Sequence, residues 1–166
     1  MAVLPDEGTV VDLGSGGGVP ALVLALACPG LSWVLVEVRQ RRAQWLATAA
    51  RRLGLGDRVT VRTERAEQVG RGFWRGGAAA VTARSFGPPA VTAECAAPLL
   101  ERGATCWVSE PPTAEPARWP HDGLLLLGLA CRASGEPPGW AGLDLIRPCP
   151  DDYPRRVGIP AKRPLF

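Results

Sequence analysis

This chain of 166 residues holds one histidine, one tyrosine and one methionine. Lys162 is also the single lysine among its nineteen basic residues. With only His121 available, neither a histidine-rich metal set nor a serine–histidine relay can be assembled, and the proline-rich surroundings of His121 predict a surface position. The five cysteines (Cys28, Cys95, Cys106, Cys131, Cys149) form no Cys-x-x-Cys and lie far apart. That spacing argues against zinc and against a disulfide framework, and it predicts reduced thiols acting as small buried hydrophobes. No metal is expected. The longest apolar run, Val19 to Cys28, falls well short of the ~20 residues of a membrane span, so no membrane association is expected. No basic-then-apolar leader opens the chain, which predicts a cytoplasmic protein. The length suits a single domain burying roughly 70% of its unfolded surface.

Charge is abundant but uneven. Residues 37–75 carry ten arginines (39, 41, 42, 51, 52, 58, 62, 65, 71, 75) against four acids. Residues 101–152 carry four arginines against eight acids, and the last fourteen residues carry four cations and no acid. Such asymmetry suits a polyanionic partner, although an arginine-, alanine- and glycine-rich composition also follows from GC-rich coding.

The most informative segment is Val10-Val11-Asp12-Leu13-Gly14-Ser15-Gly16-Gly17-Gly18-Val19-Pro20, with Glu37 closing the next apolar run. It reads as strand, glycine-rich turn, helix, then a second strand ending in an acid. A dinucleotide fingerprint needs G-x-G-x-x-G, but its last glycine position is Val19 here. The pattern is instead G-x-G-x-G (Gly14, Gly16, Gly18), the form of S-adenosylmethionine-dependent methyltransferases. Glu37 follows Gly18 at about the offset where an acid meets ribose hydroxyls. Asp12 and Ser15 complete the expected cofactor loop, Asp12 as a brace rather than a base. A helix N-terminus after the loop would suit the cofactor's carboxylate.

Strands are expected over 9–13, 31–36, 58–62, 78–83 and 103–108, and helices over 20–28, 38–53 and 88–100. The first helix is apolar all round, as if pressed onto a sheet. This alternation predicts an α/β, doubly wound, mostly parallel sheet of the class I methyltransferase type. Residues 1–108 form its cofactor-binding core and 109–122 a proline-rich loop. Within 123–150, residues 123–132 and 143–147 form a closing antiparallel pair around Gly135–Gly139. Residues 151–166 form a basic tail. The six tryptophans (33, 45, 74, 107, 119, 140) are scattered, and none is assigned to base stacking.

Residues 10–20 and the tail, Y-P-R-R-x-G-x-P-x-K-x-P-L, together resemble the glucose-inhibited division protein B family, small-subunit rRNA guanine-N7 methyltransferases. Glu37–Ala43, Arg65–Glu67, Thr82–Phe86 and Ala97–Leu100 fall in the same order with matching gaps. The resemblance implies that Gly14, Gly16, Gly18 and Glu37 hold S-adenosylmethionine and that Ala66 and Glu67 border its adenine. It places Arg84 at the carboxyl edge of the fourth strand, beside the cofactor's methyl group and in a catalytic position. Arg155, Arg156 and Lys162 would belong to a basic tail facing RNA in the small ribosomal subunit. Guanine N7 carries a lone pair and no proton, so the reaction needs positioning and electrostatics rather than a general base. Arg84 should then address O6 or a phosphate, since a bond to N7 would block the attacking lone pair.

The pattern departs from the family in two places. Eight residues precede Thr9 where the family has a helical segment that helps engage RNA, so a shortened RNA half, or a partner protein supplying that segment, is expected. Ser109-Glu110-Pro111-Pro112 stands where a lysine and glycine are usual, which would put a carboxylate near a phosphate path. Two alternatives therefore stay open: a methyltransferase redirected to a non-rRNA or small-molecule substrate, and a cofactor-binding domain without catalysis.

Overall fold

A computed structural model describes residues 4–111, 116–132 and 139–166. Seven strands form one sheet in the order β3-β2-β1-β4-β5-β7-β6. They are β1 (Gly8–Leu13), β2 (Leu31–Val36), β3 (Val59–Arg62), β4 (Ala78–Ala83), β5 (Leu100–Ser109), β6 (Leu129–Arg132) and β7 (Trp140–Leu145). Strands β1 to β5 are mutually parallel, and β7 runs antiparallel to both β5 and β6. The apolar runs of β1, β2 and β4 make the centre of the sheet, covered on both faces as parallel strands require.

The connecting helices sort by face. Helices α1 (Ala21–Ala27) and α2 (Gln40–Arg52) pack with Val10, Leu31, Trp33, Leu35 and Ala80 on one side. The other side holds the larger core: α3 (Ala66–Arg71), α4 (Pro89–Ala96), α5 (His121–Leu126) and the tail cover Val11, Leu13, Val34, Val81 and Cys106. On the α1 side of β5 and β7, Thr105 donates to Asp144 (2.7 Å). Asp144 also pairs with Arg132, whose guanidinium lies 5.2 Å from the Trp107 ring.

Five sequence expectations need correction. The helix expected over 88–100 ends at Ala96, and β5, expected from 103, already begins at Leu100. Helix α1 is apolar all round yet buries only Ala21, Leu22 and Ala25, leaving Val23 and Leu26 more than half exposed. Residues 123–126 belong to helix α5 rather than to a strand, because β6 starts only after the Gly128 turn. Pairing alone carries little information in an apolar Leu run, where strand and buried helix look alike. The proline-rich loop is shorter at both ends: Ser109 closes β5, and α5 starts at His121, which is exposed. The remainder of that loop includes residues 112–115, and the Gly135–Gly139 turn includes 133–138, which lie outside the described residues. Among the cysteines, Cys95 and Cys106 are buried and burial pushes both thiols up, but Cys131 is exposed.

The tail is ordered. Its short helix α6 (Ile159–Lys162) contacts α4, and Leu165 and Phe166 pack on the larger core. Glu94, a lone acid in the apolar α4, is completely buried and anchors it. Its Oε1 accepts the Arg155 backbone N–H (2.8 Å) and Nε (2.9 Å), and its Oε2 accepts Nη2 (2.6 Å). Removing one partner of such a pair strands the other in a dry core, at about 3 kcal/mol or more. Arg155→Ala should therefore lower unfolding free energy in urea titration by about that amount. Glu94→Gln/Arg155→Met should recover most of the loss, since neither side chain then leaves a buried charge.

Candidate cofactor and substrate site

The parallel strands deliver their carboxyl ends to one edge, and the glycine loop crosses it. Gly14 and Ser15 N–H groups both donate to the Val36 carbonyl (2.9 and 3.0 Å), tying the loop to the end of β2. The buried Glu37 carboxylate finishes the tie: Oε2 accepts Gly16 N–H (3.0 Å) and Oε1 accepts Arg39 N–H (2.8 Å). Gly14, Gly16 and Gly18 all have left-handed backbone (φ 69, 51 and 83°), which L side chains rarely adopt. A Cβ on Gly14 would lie 2.9 Å from the Phe86 ring, and one on Gly18 2.5 Å from Leu22 Cδ1. The loop thus sits flush on both neighbours while Gly14 and Gly17 stay exposed at the edge. Each Glu37 oxygen accepts one backbone bond and keeps a free lone-pair direction. Exposed glycine backbone beside a carboxylate with acceptor capacity to spare fits a nucleoside, whose ribose hydroxyls would donate to it.

Beneath the loop, Asp12 is 2% exposed and accepts the Thr82 hydroxyl (2.6 Å) on Oδ1. Ser15 is buried too, and its hydroxyl donates to the Asp12 backbone carbonyl (3.1 Å). Burial pushes the Asp12 carboxyl up to about 6, against the lowering effects of Thr82, Ser15 and the Arg84 charge. Asp12 therefore ties β1 to β4 through its side chain, and its backbone carbonyl holds Ser15 of the loop. Thr82 had a signal only as the start of the Thr82–Phe86 segment, and its Asp12 partner, 70 residues away, is identified by the fold.

Arg84 leaves the end of β4 next to Gly14, since β1 and β4 run in register from Val10↔Ala80 to Leu13↔Ala83. Its side chain is exposed at the edge. Ser85, directly after it, has φ 52°, the only positive φ outside glycine among the described residues. A non-glycine residue held there costs of order 1–3 kcal/mol and clusters at functional edges. The turn carries Phe86 back onto Gly14, so cofactor loop and β4 loop touch.

Ala66 and Glu67 are buried at the start of α3. Glu67 Oε1 accepts Gly158 N–H (2.9 Å), so this acid holds the tail. Arg155 is taken up by Glu94, with a further bond from Nη2 to the Arg163 carbonyl (2.7 Å). Any RNA role for Arg155 would compete with that pair, whereas Arg156 and Lys162 are exposed. The Glu110 carboxylate, expected near a phosphate path, turns inward and is 9% exposed. It accepts Trp119 Nε1–H (2.6 Å) and lies against Arg118 (2.9 Å).

The arginine-rich segment also divides. Arg58 donates to the carbonyls of Ala25, Cys28 and Leu31 at the end of α1. Arg71 and Arg75 hold tail carbonyls from Cys149 to Pro154, and Arg62 pairs with Glu64. Arg39, Arg41, Arg42 and Arg52 make no ion pair among the described residues. Among the described residues no group of three or more His, Cys, Asp or Glu could hold a metal ion, and no helix is long and apolar enough to cross a membrane.

A parallel sheet in this order, with a glycine loop after β1 and an acid closing β2, defines a class I methyltransferase fold. Solved structures agree: a 16S rRNA (adenine(1408)-N(1))-methyltransferase from Catenulisporales acidiphilia superposes with a TM-score of 0.67 at 17% identity, over 86% of this chain and 89% of that one. The GidB model, rRNA small subunit methyltransferase G, matches residues 1–109. A ribosomal RNA small subunit methyltransferase G from Synechococcus sp. (strain CC9311) is 36% identical over 93% of this chain and 65% of its own length. One from Prochlorococcus marinus (strain MIT 9303) is 37% identical over 93% of this chain and 67% of its own. The chain belongs to the GidB family, and it spans about two thirds of the length of these relatives.

The buried Asp12 gives a pH test of the site. Its carboxyl ordinarily titrates at 3.8 and in the folded chain at about 6, so the fold holds this proton more tightly than the unfolded chain does. Its contribution to stability is therefore greatest below about pH 4 and falls as pH rises through about 6, by roughly 3 kcal/mol. In urea titrations across that window, Asp12→Asn should remove this slope. At pH 7.5, it should be no less stable than the wild type.

Proposed function

We propose that this chain uses S-adenosylmethionine to methylate guanine N7 in small-subunit rRNA, as a cytoplasmic enzyme. One observation carries the reading. The edge that joins the Glu37-tethered glycine loop to Arg84 through the Phe86–Gly14 contact belongs to a chain of the GidB family. Glu37 would accept ribose hydroxyls, Ala66 and Glu67 would border the adenine, and Asp12 with Ser15 would keep the loop in shape. When bound, the cofactor supplies a methyl group on a sulfonium, ready for in-line displacement. N7 offers a lone pair with no proton to remove, so the chain needs no base, and Asp12, already committed to Thr82, is not required as one. Arg84 would fix the base through O6 or a neighbouring phosphate. Arg156 and Lys162 would meet the RNA backbone.

Calorimetric titration with S-adenosylmethionine should show binding in the wild type and none in Gly16→Val. A β-branched residue there would need φ near 51°. Small subunits from a strain lacking N7 methylation should accept labelled methyl from the wild type, with the rate falling by more than about tenfold in Arg84→Ala. Cofactor binding without incorporation would transfer the site to another substrate. No cofactor binding would mean that the loop needs RNA or a partner protein to order it, or that the chain does not catalyse.

A further inference from the structure

We propose that the outer face of α2 is a platform for single-stranded RNA, with Trp45 stacking a base and Arg41, Arg42 and Arg52 holding flanking phosphates. The inference rests on RNA being the substrate and adds a recognition surface that adjoins the glycine loop and extends along α2 away from it. Trp45 is 54% exposed, an unusual position for the largest apolar side chain on a helix whose inner face already buries Ala43, Leu46 and Ala50. Arg41, Arg42, Thr48 and Arg52 stand four and three residues before it and three and seven after, one stripe on a helix surface.

Trp45 is shared by two adjoining open cavities. One, of about 440 Å³, is lined by Gly16, Gly17, Arg41, Arg42 and Trp45. The other, of about 410 Å³, is lined by Gln44, Trp45, Thr48, Ala49 and Arg52. The groove therefore runs along α2 to the rim of the glycine loop, where the Arg42 guanidinium lies 3.9 Å from the space a Gly16 Cβ would fill.

The charge argues for the same occupant. Arg41 and Arg42 sit in the first turn of α2, which has no acid there, at the end of the helix dipole that repels cations. With no carboxylate paired to Arg39, Arg41, Arg42 or Arg52 among the described residues, the arrangement opposes itself until an anion arrives. An apolar protein segment would cover the tryptophan but leave these cations unanswered. A polynucleotide answers both, by aromatic stacking and phosphate contact.

The test is fluorescence anisotropy of the full chain with a labelled single-stranded RNA oligonucleotide, repeated by competition with intact small ribosomal subunits. Trp45→Ala should weaken binding about five- to a hundredfold. Trp45→Phe should stay within about threefold because it keeps a stacking face. Arg41→Gln and Arg52→Gln should each reduce the salt slope by about 0.7. Thermal melts and cofactor titrations of each variant report separately on the fold and the glycine loop. If wild type and Trp45→Ala bind RNA equally, the platform is wrong while RNA as substrate stands. If the wild type binds cofactor but neither the oligonucleotide nor subunits, RNA as substrate fails and takes the platform with it. If Trp45→Ala changes self-association in sedimentation and leaves RNA binding intact, the face belongs to a second copy and the proposal is overturned.

Discussion

Irregular backbone placed against a core must find acceptors for its N–H groups, and in this chain buried carboxylates supply them. Glu37 accepts from Gly16 and Arg39, Glu67 from Gly158, and Glu94 from Arg155. Each acid closes a segment that no strand ladder could satisfy: the glycine loop, the tail bend and the approach to α6. A carboxylate accepting backbone N–H bonds is held more firmly than a neutral acceptor would hold it. The edge proposed to carry the chemistry and the tail are thus fixed by the same device. The sites are built from loops, yet their geometry is set by acids rooted in β2, α3 and α4.

The same logic sorts the cations. Carbonyls left over at the end of α1 and along the tail are met by Arg58, Arg71 and Arg75, which are therefore structural despite lying in the most basic stretch of the sequence. Arg155, in the basic tail, is structural for a parallel reason. A charge count cannot make this division, because an arginine bound to carbonyls and one facing solvent contribute the same unit. What remains after subtraction is smaller: Arg39, Arg41, Arg42, Arg51 and Arg52 on and beside α2, Arg65 before α3, and Arg156, Lys162 and Arg163 on the tail, none in an ion pair among the described residues.

The parallel sheet and its glycine loop were legible in the sequence because periodicity and glycine spacing are local. Strands β2 and β4 begin and end where their apolar runs do, and Glu37 stands where the loop needs an acid. Three features were not legible. The Leu run before β6 has no period to separate helix from strand, so α5 was hidden in it. Glu94 did carry a signal, an acid inside an apolar helix, but its partner lies 61 residues away and only the fold identifies it. The exposure of Trp45 was hidden because aromatic residues on amphipathic helices usually face the core; here Ala43, Leu46 and Ala50 already fill that role.

The two sheet faces give the remaining constraint on how a substrate could approach. Helix α2 lies with the smaller core and the tail with the larger one, so their free cations stand on opposite sides of the sheet. The carboxyl edge, with Gly14, Glu37 and Arg84, runs between them. A polyanion that reached both surfaces over that edge would pass the position where methyl transfer is proposed. Positioning is the main demand of a reaction that needs no proton transfer, and under the proposed function basic surfaces on both sides of the edge would supply it without a further catalytic group. The inward turn of Glu110 onto Arg118 and Trp119 fits this path, because it removes a carboxylate that would otherwise repel the backbone near the end of β5.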